Sequence, residues 1–318
     1  MKIFEIEKND NRFVSQTISM IIANPIYDTV FKYLMEDTDI AKGVLSVILN
    51  SEITELTLRP QERTSESALD DRQPVNIYRL DFIAVIKESF GTHKKALIEL
   101  QKTKRSTNIQ RFRKYLGENY QKEDKLLTNG KEKAQSLEIV TIYFLGFELD
   151  DVPTSVLKVK NCFIDVTTGK QLEYEPFDKF IRLLNHESYT VQIPKLHPNE
   201  QSRVENVLNI FSQRYQTDDE HKLNYSGNMS DPLVEKIVNR LTRAIADQSL
   251  RDRMDIEDEI EREYQDIKEK YQDQLEQKDK AIEQKDKVIE QKEHQLEEQN
   301  QLIEDLKRQL ADKNKDKK

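Results

Sequence analysis

Two acidic residues interrupt neighbouring apolar runs of this sequence. Asp81 lies in RLDFIAVI and Glu99 lies in ALIELQ, so each carboxylate has apolar residues on both sides. A carboxylate in apolar surroundings is unfavourable unless a partner compensates its charge. The two acids therefore indicate a site at which carboxylate oxygens bind something, and their spacing along the chain suggests adjacent strands.

The flanking residues predict how the two acids come together. The runs 77–87 and 94–102 have the pattern of β-strands around a glycine-containing turn, which predicts a hairpin. If Phe90 is the centre of the hairpin, the residue numbers of the two members of each cross-strand pair add up to 180. Asp81 then pairs with Glu99, since 81 and 99 add up to 180. Opposed residues have β-carbons about 4.5–5.5 Å apart, and like charges at that distance are destabilising. Protonation of one acid removes this conflict, and so does a divalent cation between the two, since carboxylate and water oxygens are the ligands that Mg²⁺ prefers.

A third polar residue belongs to the same predicted strand face. Gln101 lies two residues after Glu99, and strand side chains two residues apart share a face. We therefore predict Asp81, Glu99 and Gln101 as a candidate catalytic site, with Asp81 and Glu99 as ligands of Mg²⁺ or Mn²⁺. Such a metal activates water and neutralises developing charge, which suits phosphodiester hydrolysis. The alternatives are that the acids face solvent, or that the hairpin has a different register.

The charges of the chain are unevenly distributed. The net charge is −9, yet residues 79–133 contain 14 Lys and Arg against 7 Asp and Glu, while residues 250–318 contain 16 against 22. A local basic excess favours binding to a phosphate backbone, and a solvated charged surface is the alternative. The residues that we expect to bind nucleic acid are Lys102, Lys104, Arg105, Arg111, Arg113 and Lys114.

Other chemistries lack support in the sequence. The single cysteine, Cys162, excludes a disulfide framework, and the five histidines are scattered without metal-ligand spacing. The seven glycines form no glycine-rich phosphate loop. The N-terminal residues MKIFEIEKND include acids where a signal peptide is apolar, and no run reaches about 18 apolar residues. We therefore expect a cytoplasmic protein without a membrane partner.

The elements around the hairpin predict an α/β fold. Apolar stripes predict one helix that begins near Asp28 and another over 108–127, and ITELTLRPQ predicts a strand before the hairpin. The continuous apolar run LEIVTIYFLGFEL predicts a central strand that is covered on both faces. The order helix, three strands, helix and strand gives a small α/β core within residues 1–225.

The C-terminal part of the chain is a heptad repeat. Apolar residues recur at every seventh position, at Leu275, Ile282, Ile289, Leu296, Ile303 and Leu310. The second seam position is mostly polar, with Lys278, Lys285, Lys292 and Gln299 before Leu306. This pattern predicts a weak coiled coil that forms a homo-oligomer, and a single solvated helix is the alternative.

The repeat also suggests a division of the chain. We predict a helical connector at 226–260 and a coiled-coil tail at 261–318 with a disordered end. The heptads share no apolar pattern with the α/β core, so we expect the residues after about Asp247 to be removable without unfolding it.

Six short motifs follow one another in an order that is typical of one nuclease family. They are DTVFKYL from Asp28, RLD ending at Asp81, IELQ ending at Gln101, RFRKYLGENY, IVTIYFLGF and PFDKFIRLLN. In this order the chain resembles the PD-(D/E)XK nuclease superfamily, in particular its bacterial branch of transposase-like, recombination-promoting nucleases. The resemblance covers about residues 22–190 and leaves out the tail.

The resemblance implies a fold, an activity and a set of residues. The implied fold is a restriction-endonuclease-like core, a central mixed sheet with flanking helices, followed by a C-terminal helical region and coiled coil. Asp81 and Glu99 match the metal-binding acids of an Mg²⁺-dependent endonuclease that hydrolyses DNA, and Gln101 stands where the superfamily usually has lysine. The accessory residues are Asp28, Lys32 and Arg79. Because a neutral amide cannot stabilise charge as lysine does, the alternative is a catalytically silent DNA-binding or coiled-coil interaction protein on a nuclease fold.

Overall fold

The computed structural model describes residues 19–59, 82–89, 91–104, 108–128, 130–174, 176, 178–197 and 202–315. Contacts within the chain divide it into two compact units, Met1–Asp255 and Ile256–Lys318. The domain boundaries that the sequence suggests at 225 and 260 stay predictions. Within the described ranges, no helix is long and apolar enough to cross a membrane.

The described residues form twelve strands and seven α-helices. The strands are β1 (Met20–Ala23), β2 (Ile53–Arg59), β3 (Phe82–Glu88), β4 (His93–Gln101), β5 (Asp124–Thr128), β6 (Lys131–Gln135), β7 (Glu138–Leu145), β8 (Val156–Val159), β9 (Ile164–Asp165), β10 (Lys170–Gln171), β11 (His186–Gln192) and β12 (Lys222–Tyr225). The helices are α1 (Asp28–Met35), α2 (Thr38–Leu49), α3 (Asn108–Gln121), α4 (Lys179–Leu183), α5 (Arg203–Leu208), α6 (Pro232–Ala244) and α7 (Gln248–Lys315).

A six-strand mixed sheet forms the centre of the first unit. Its strand order is β2, β3, β4, β7, β11 and β8. The strands β4, β7 and β11 are parallel, whereas β2, β3 and β8 pair antiparallel with their neighbours. The predicted α/β class, with a mixed sheet and flanking helices, is thereby confirmed. The apolar strand β7 lies between β4 and β11, which confirms its predicted central position.

The β3–β4 hairpin has the predicted register. From Phe82, which pairs with Ile98, to Lys87, the numbers of paired residues add up to 180. Because strand side chains alternate between the two faces, this register decides which residues of β4 face each layer of helices. Asp81, the predicted partner of Glu99, lies outside the described residues.

One face of the sheet packs on an apolar layer that contains α1. The predicted stripe of α1, with Val30, Phe31 and Leu34, is fully buried. The Phe31 ring lies 5.2 Å from the Phe144 ring of β7 and 6.0 Å from the Phe82 ring of β3. Side chains of α2, α5 and α6 belong to the same core. This layer holds α1 across the strands that carry the candidate site.

Two differences between the predicted elements and the structure concern α3 and β11. The helix predicted over 108–127 ends at Gln121, and the chain continues into the hairpin β5–β6. Asp124 and Leu126 are buried while the residue between them is exposed, which is the period of a strand. Gly130 follows in the turn with φ +73°, a conformation that glycine adopts without strain. Strand β11 has no counterpart in the sequence prediction, because its residues HESYTVQ are mostly polar.

The first turns of α7 belong to the core of the first unit. The Asp247 carboxylate accepts the backbone N–H of Ser249 at 2.9 Å, which caps the helix. Leu250 is 6% exposed and Met254 is 1% exposed, and both side chains lie in the main apolar core. The expectation that residues after about Asp247 can be removed is therefore wrong, since a cut there would delete two core side chains.

We expect Met254→Ala to lower the free energy of unfolding by about 2–5 kcal/mol, because it leaves a cavity in the core. Urea denaturation followed by circular dichroism measures the change. The matched control is Ile256→Ala on the same helix, where Ile256 is 53% exposed and the expected change is below about 0.5 kcal/mol. Equal changes in the two variants would contradict the assignment of Met254 to the core.

Candidate active site

One face of β4 carries polar side chains toward α3. Lys95, Leu97, Glu99 and Gln101 alternate with the β4 residues of the main core, so they share this face. All of them are buried, and Glu99 is only 1% exposed. Leu97 packs with Phe112 of α3 in a separate apolar cluster. Buried polar groups are unfavourable unless they are paired, so the partners of this face define the site.

One oxygen of the Glu99 carboxylate accepts hydrogen bonds from two side chains. The Nη2 atom of Arg111 lies 2.5 Å from Oε1 of Glu99. The side-chain amide of Gln101 donates a hydrogen bond to the same oxygen. The Arg111 side chain is 26% exposed, whereas that of Glu99 is 1% exposed. The guanidinium therefore compensates the buried charge from the more exposed side of the site.

Helix α3 positions the guanidinium. Phe112 and Tyr115 of this helix are buried, and the Phe112 ring lies 4.3 Å from the Tyr143 ring of β7. Arg111 precedes Phe112 in the helix, so the same packing holds Arg111 beside the sheet. The sequence places Arg111 among the predicted nucleic-acid-binding residues, and the structure places it in contact with the candidate catalytic acid Glu99.

A second ion pair lies on the same face of β4. The ammonium of Lys95 is 2.7 Å from a carboxylate oxygen of Asp124, and the two side chains are 3% and 10% exposed. Lys95 also donates to the backbone carbonyl of Asn119 at 3.4 Å. Because Asp124 begins β5, these contacts connect β4 with the end of α3 and with the β5–β6 hairpin.

Tyr143 lies beside Glu99 on the neighbouring strand. The parallel ladder of β4 and β7 pairs the two residues. Burial raises the pKa of the Tyr143 phenol, a hydrogen bond with Thr141 lowers it, and the Glu99 charge raises it, with a large net increase. At neutral pH the phenol is therefore protonated. Tyr143 therefore places a neutral hydroxyl on β7, close enough to Glu99 for the charge of the acid to raise the pKa of the phenol.

The start of α1 lies at the carboxyl end of β4. Lys102 directly follows β4, and its ammonium lies 3.7 Å from the centroid of the Tyr27 ring. The backbone N–H of Gly146 donates to the Gln101 carbonyl at 2.8 Å. A β-carbon at position 146 would overlap with the carbonyl oxygen of Lys102, so this close approach requires glycine. Asp28 follows Tyr27, and the first turn of α1 therefore lies near the end of β4.

The structure brings together some of the predicted catalytic and accessory residues. Glu99 and Gln101 are in contact, as the shared strand face predicted. Asp28 and Lys32 lie on α1 and pair with each other, with 2.5 Å between Oδ2 and Nζ. The remaining predicted residues Asp81, Arg79 and Arg105 lie outside the described residues.

The predicted nucleic-acid-binding residues fall into two groups. Arg111 and Lys102 make the intramolecular contacts with Glu99 and Tyr27 given above. Lys104, Arg113 and Lys114 are exposed. The ammonium of Lys104 lies 3.3 Å from Asp150, a pair that is largely solvent-accessible and therefore weak. The exposed group is the part of this set that a phosphate backbone can reach without rearrangement of the site.

The donors of the site suit a divalent metal in type, but the described residues do not complete a metal site. The Glu99 carboxylate and the Gln101 amide oxygen are hard oxygen ligands of the kind that Mg²⁺ prefers. Among the described residues, no three His, Cys, Asp or Glu side chains are grouped so as to hold a metal ion. A further carboxylate is needed, and the sequence offers Asp81 for this role. The Arg111 guanidinium would compete with a cation for the Glu99 oxygens.

Sequence reasoning missed three residues of the site. Arg111 was expected to bind nucleic acid, and neither Tyr143 nor Tyr27 was expected near the acids. The spacing of Arg111 and Phe112 on one helix was visible in the sequence. The rotation of α3 on the sheet determines whether Arg111 or Phe112 is directed toward Glu99. Tertiary packing decides this rotation.

Comparison with known proteins does not identify the site. No family model, no curated protein and no solved structure matches the chain. The chemistry of the site therefore has to be inferred from its own residues.

We expect Arg111→Ala to lower the free energy of unfolding by about 3 kcal/mol, because it leaves the Glu99 charge buried without its cation. The matched control is Arg113→Ala on the same helix, where the exposed side chain predicts a change below about 0.5 kcal/mol. Adding Glu99→Gln to Arg111→Ala should recover part of the loss, because the buried group is then neutral. If the double variant is no more stable than Arg111→Ala, charge compensation is not what holds Arg111 in place.

Proposed function

We propose that the chain is a metal-dependent nuclease of the PD-(D/E)XK superfamily that cleaves DNA on a restriction-endonuclease-like core. The observation that carries the proposal is the fully buried Glu99, followed by Gln101 at the carboxyl end of β4 within a six-strand mixed sheet. A buried acid with polar partners in a sheet core is costly to maintain, and a functional role explains its presence. The transposase-like, recombination-promoting branch is the one whose motifs the sequence resembles.

Asp81 and Glu99 would be the acidic ligands of the metal. The β3–β4 register, in which paired numbers add up to 180, supports the sequence expectation that these two residues face each other. When bound, Mg²⁺ or Mn²⁺ supplies an activated water and neutralises charge on the phosphate. Gln101 is placed to orient a ligand or water through its amide, but it cannot contribute the positive charge of a lysine.

Neighbouring residues would position the acid and the phosphate. Arg111 lies at the exposed side of Glu99, and a metal that takes over the Glu99 oxygens would release the guanidinium to bind phosphate oxygens. The phenol of Tyr143 on β7 is neutral, so it adds no negative charge beside Glu99. Lys102, stacked over the Tyr27 ring, adds a positive charge at the carboxyl end of β4. We propose that Asp28 and Lys32 act as accessory residues from α1.

A second candidate function is DNA binding without cleavage. It is favoured by the contacts of Glu99, since Arg111 and Gln101 both donate to Oε1 and already compensate the acid without a metal. In this case the fold would serve as a binding platform. The two candidates differ in whether a divalent metal binds and whether cleavage follows.

We expect plasmid DNA to be nicked in the presence of Mg²⁺ or Mn²⁺. Asp81→Asn and Glu99→Gln should each abolish nicking, because each removes a metal ligand. Gln101→Ala should reduce the rate by about 10–100-fold, because it removes an orienting hydrogen bond but leaves the ligands. Nicking is measured by gel electrophoresis with each metal and with EDTA.

Glu132→Gln is the control for these variants, because Glu132 is an exposed acid on β6, which belongs to a separate two-stranded sheet with β5. Its nicking rate should equal that of the natural chain. Nicking that survives Asp81→Asn would show that the site assignment is wrong. If the natural chain does not nick DNA with either metal and calorimetry shows no metal binding, the second candidate replaces the first.

We expect DNA binding to weaken steeply with salt, because cationic side chains release counterions from the phosphates. Charge reversal of Lys104, Arg113 and Lys114 to Glu should reduce the slope of log K against log salt by roughly 3 units, about one for each lost contact. Fluorescence anisotropy with a labelled duplex measures the slope.

The control for this experiment changes the net charge equally at the C-terminal end of the chain. Lys268, Lys280 and Lys287 are exposed residues of α7, and their reversal to Glu should leave the slope nearly unchanged. Equal slopes for the two triple variants would show that Lys104, Arg113 and Lys114 are only part of a solvated surface.

A further inference from the structure

The helix of the second unit exposes an apolar stripe along its length. Two of the seven heptad positions form the seam of a coiled coil, and we name them a and d. Position a holds Leu275, Ile282, Ile289, Leu296 and Ile303, and each of these side chains is between 48% and 62% exposed. A stripe of this kind is typical of a helix that associates with another helix through it.

We propose that this stripe is the contact surface of a parallel, in-register homodimer, so that the partner is a second copy of this chain. In a parallel pair, a side chains pack on a side chains of the partner, and d side chains pack on d side chains. The apolar layers of position a then stay together over five heptads. In an antiparallel pair, a side chains pack on d side chains, and Ile282 or Ile289 would face a lysine.

In the parallel arrangement the lysines of position d face each other across the seam, and the acids beside them compensate this charge. Position d holds Lys278, Lys285, Lys292, Gln299 and Leu306. An acid directly follows each of these lysines, at Asp279, Asp286 and Glu293. In a parallel coiled coil the d side chain enters a hole that includes the residue after the partner's d position. Each lysine therefore meets an acid of the second copy, while its aliphatic part covers the apolar layer.

The contact is strongest toward the end of the helix. Beyond Leu296, Leu302 lies next to Ile303, and Leu306 makes position d apolar as well. These three side chains are 60%, 48% and 49% exposed in the single chain. On the opposite side of the helix, Glu283 and Lys287 pair within the chain at 2.7 Å. This outer ion pair is formed within one chain, and the apolar seam is the side that association covers.

The full chain tests the orientation through a single engineered cysteine. In a Cys162→Ser background, Gln299→Cys places one thiol at position d, and the two thiols of a parallel, in-register dimer face each other. Mild oxidation should then convert most of the protein into a disulfide-linked dimer. The matched control is Glu297→Cys, at an exposed position on the outer side of the helix, which should give little dimer. Equal cross-linking of both variants, or of neither, would overturn the proposal.

Sedimentation equilibrium tests the association itself. The natural chain should have twice the monomer mass of 37.6 kDa. Ile303→Asp should restore the monomer mass, because it places a charge in the strongest part of the seam, while Glu297→Asp should not. Circular dichroism and the urea midpoint of the first unit show whether the variant remains folded. A natural chain that sediments as a monomer at tens of micromolar concentration would mean that the helix is solvated alone, which refutes the proposal. The test does not involve nuclease activity, so it stands or falls independently of the proposed function.

Discussion

The compensation of one buried negative charge is the constraint around which the first unit is arranged. Glu99 stands on an interior strand of the sheet, where water cannot solvate its carboxylate. Three elements meet there: β4 contributes the acid and an amide, α3 contributes a guanidinium, and β7 contributes a phenol. A strand with an apolar residue at position 99 would need no such partners. The polar cluster therefore restricts where α3 can lie on the sheet much more than apolar packing alone would.

The two faces of β4 have different roles, one in stability and one in the candidate site. One face joins the large apolar core with the aromatic contacts of Phe31, Phe82 and Phe144, which depend on shape more than on direction. The other face combines a small apolar cluster with two ion pairs, Glu99 with Arg111 and Lys95 with Asp124. Ion pairs and hydrogen bonds are directional, so the geometry of this face is specified more narrowly. Stability comes mainly from the first face, and the candidate site is built on the second.

Local patterns were sufficient to predict part of this arrangement. The α/β class, the hairpin register and the central strand β7 follow from residue alternation and apolar runs, which act over short stretches of chain. The end of α3 was misplaced because the Lys95–Asp124 pair, a contact between distant segments, favours a strand after Gln121. Strand β11 is mostly polar, and its position in the sheet depends on its pairing with β7. The acid and amide of the site were predicted from their own strand, but their partner Arg111 depends on how a distant helix docks.

The alternation of β4 sets a rule for how this chain can change its length during evolution. A shift of β4 by one residue would turn Glu99 into the aromatic core and present Leu100 to the guanidinium. A shift by two residues would keep every side chain on its present face and move the acid only along the strand. Because a shift by two also moves Glu99 away from Arg111, insertions and deletions that alter the position of β4 are disfavoured in steps of one and of two, whereas length changes between β5 and β6 leave this ion pair in place.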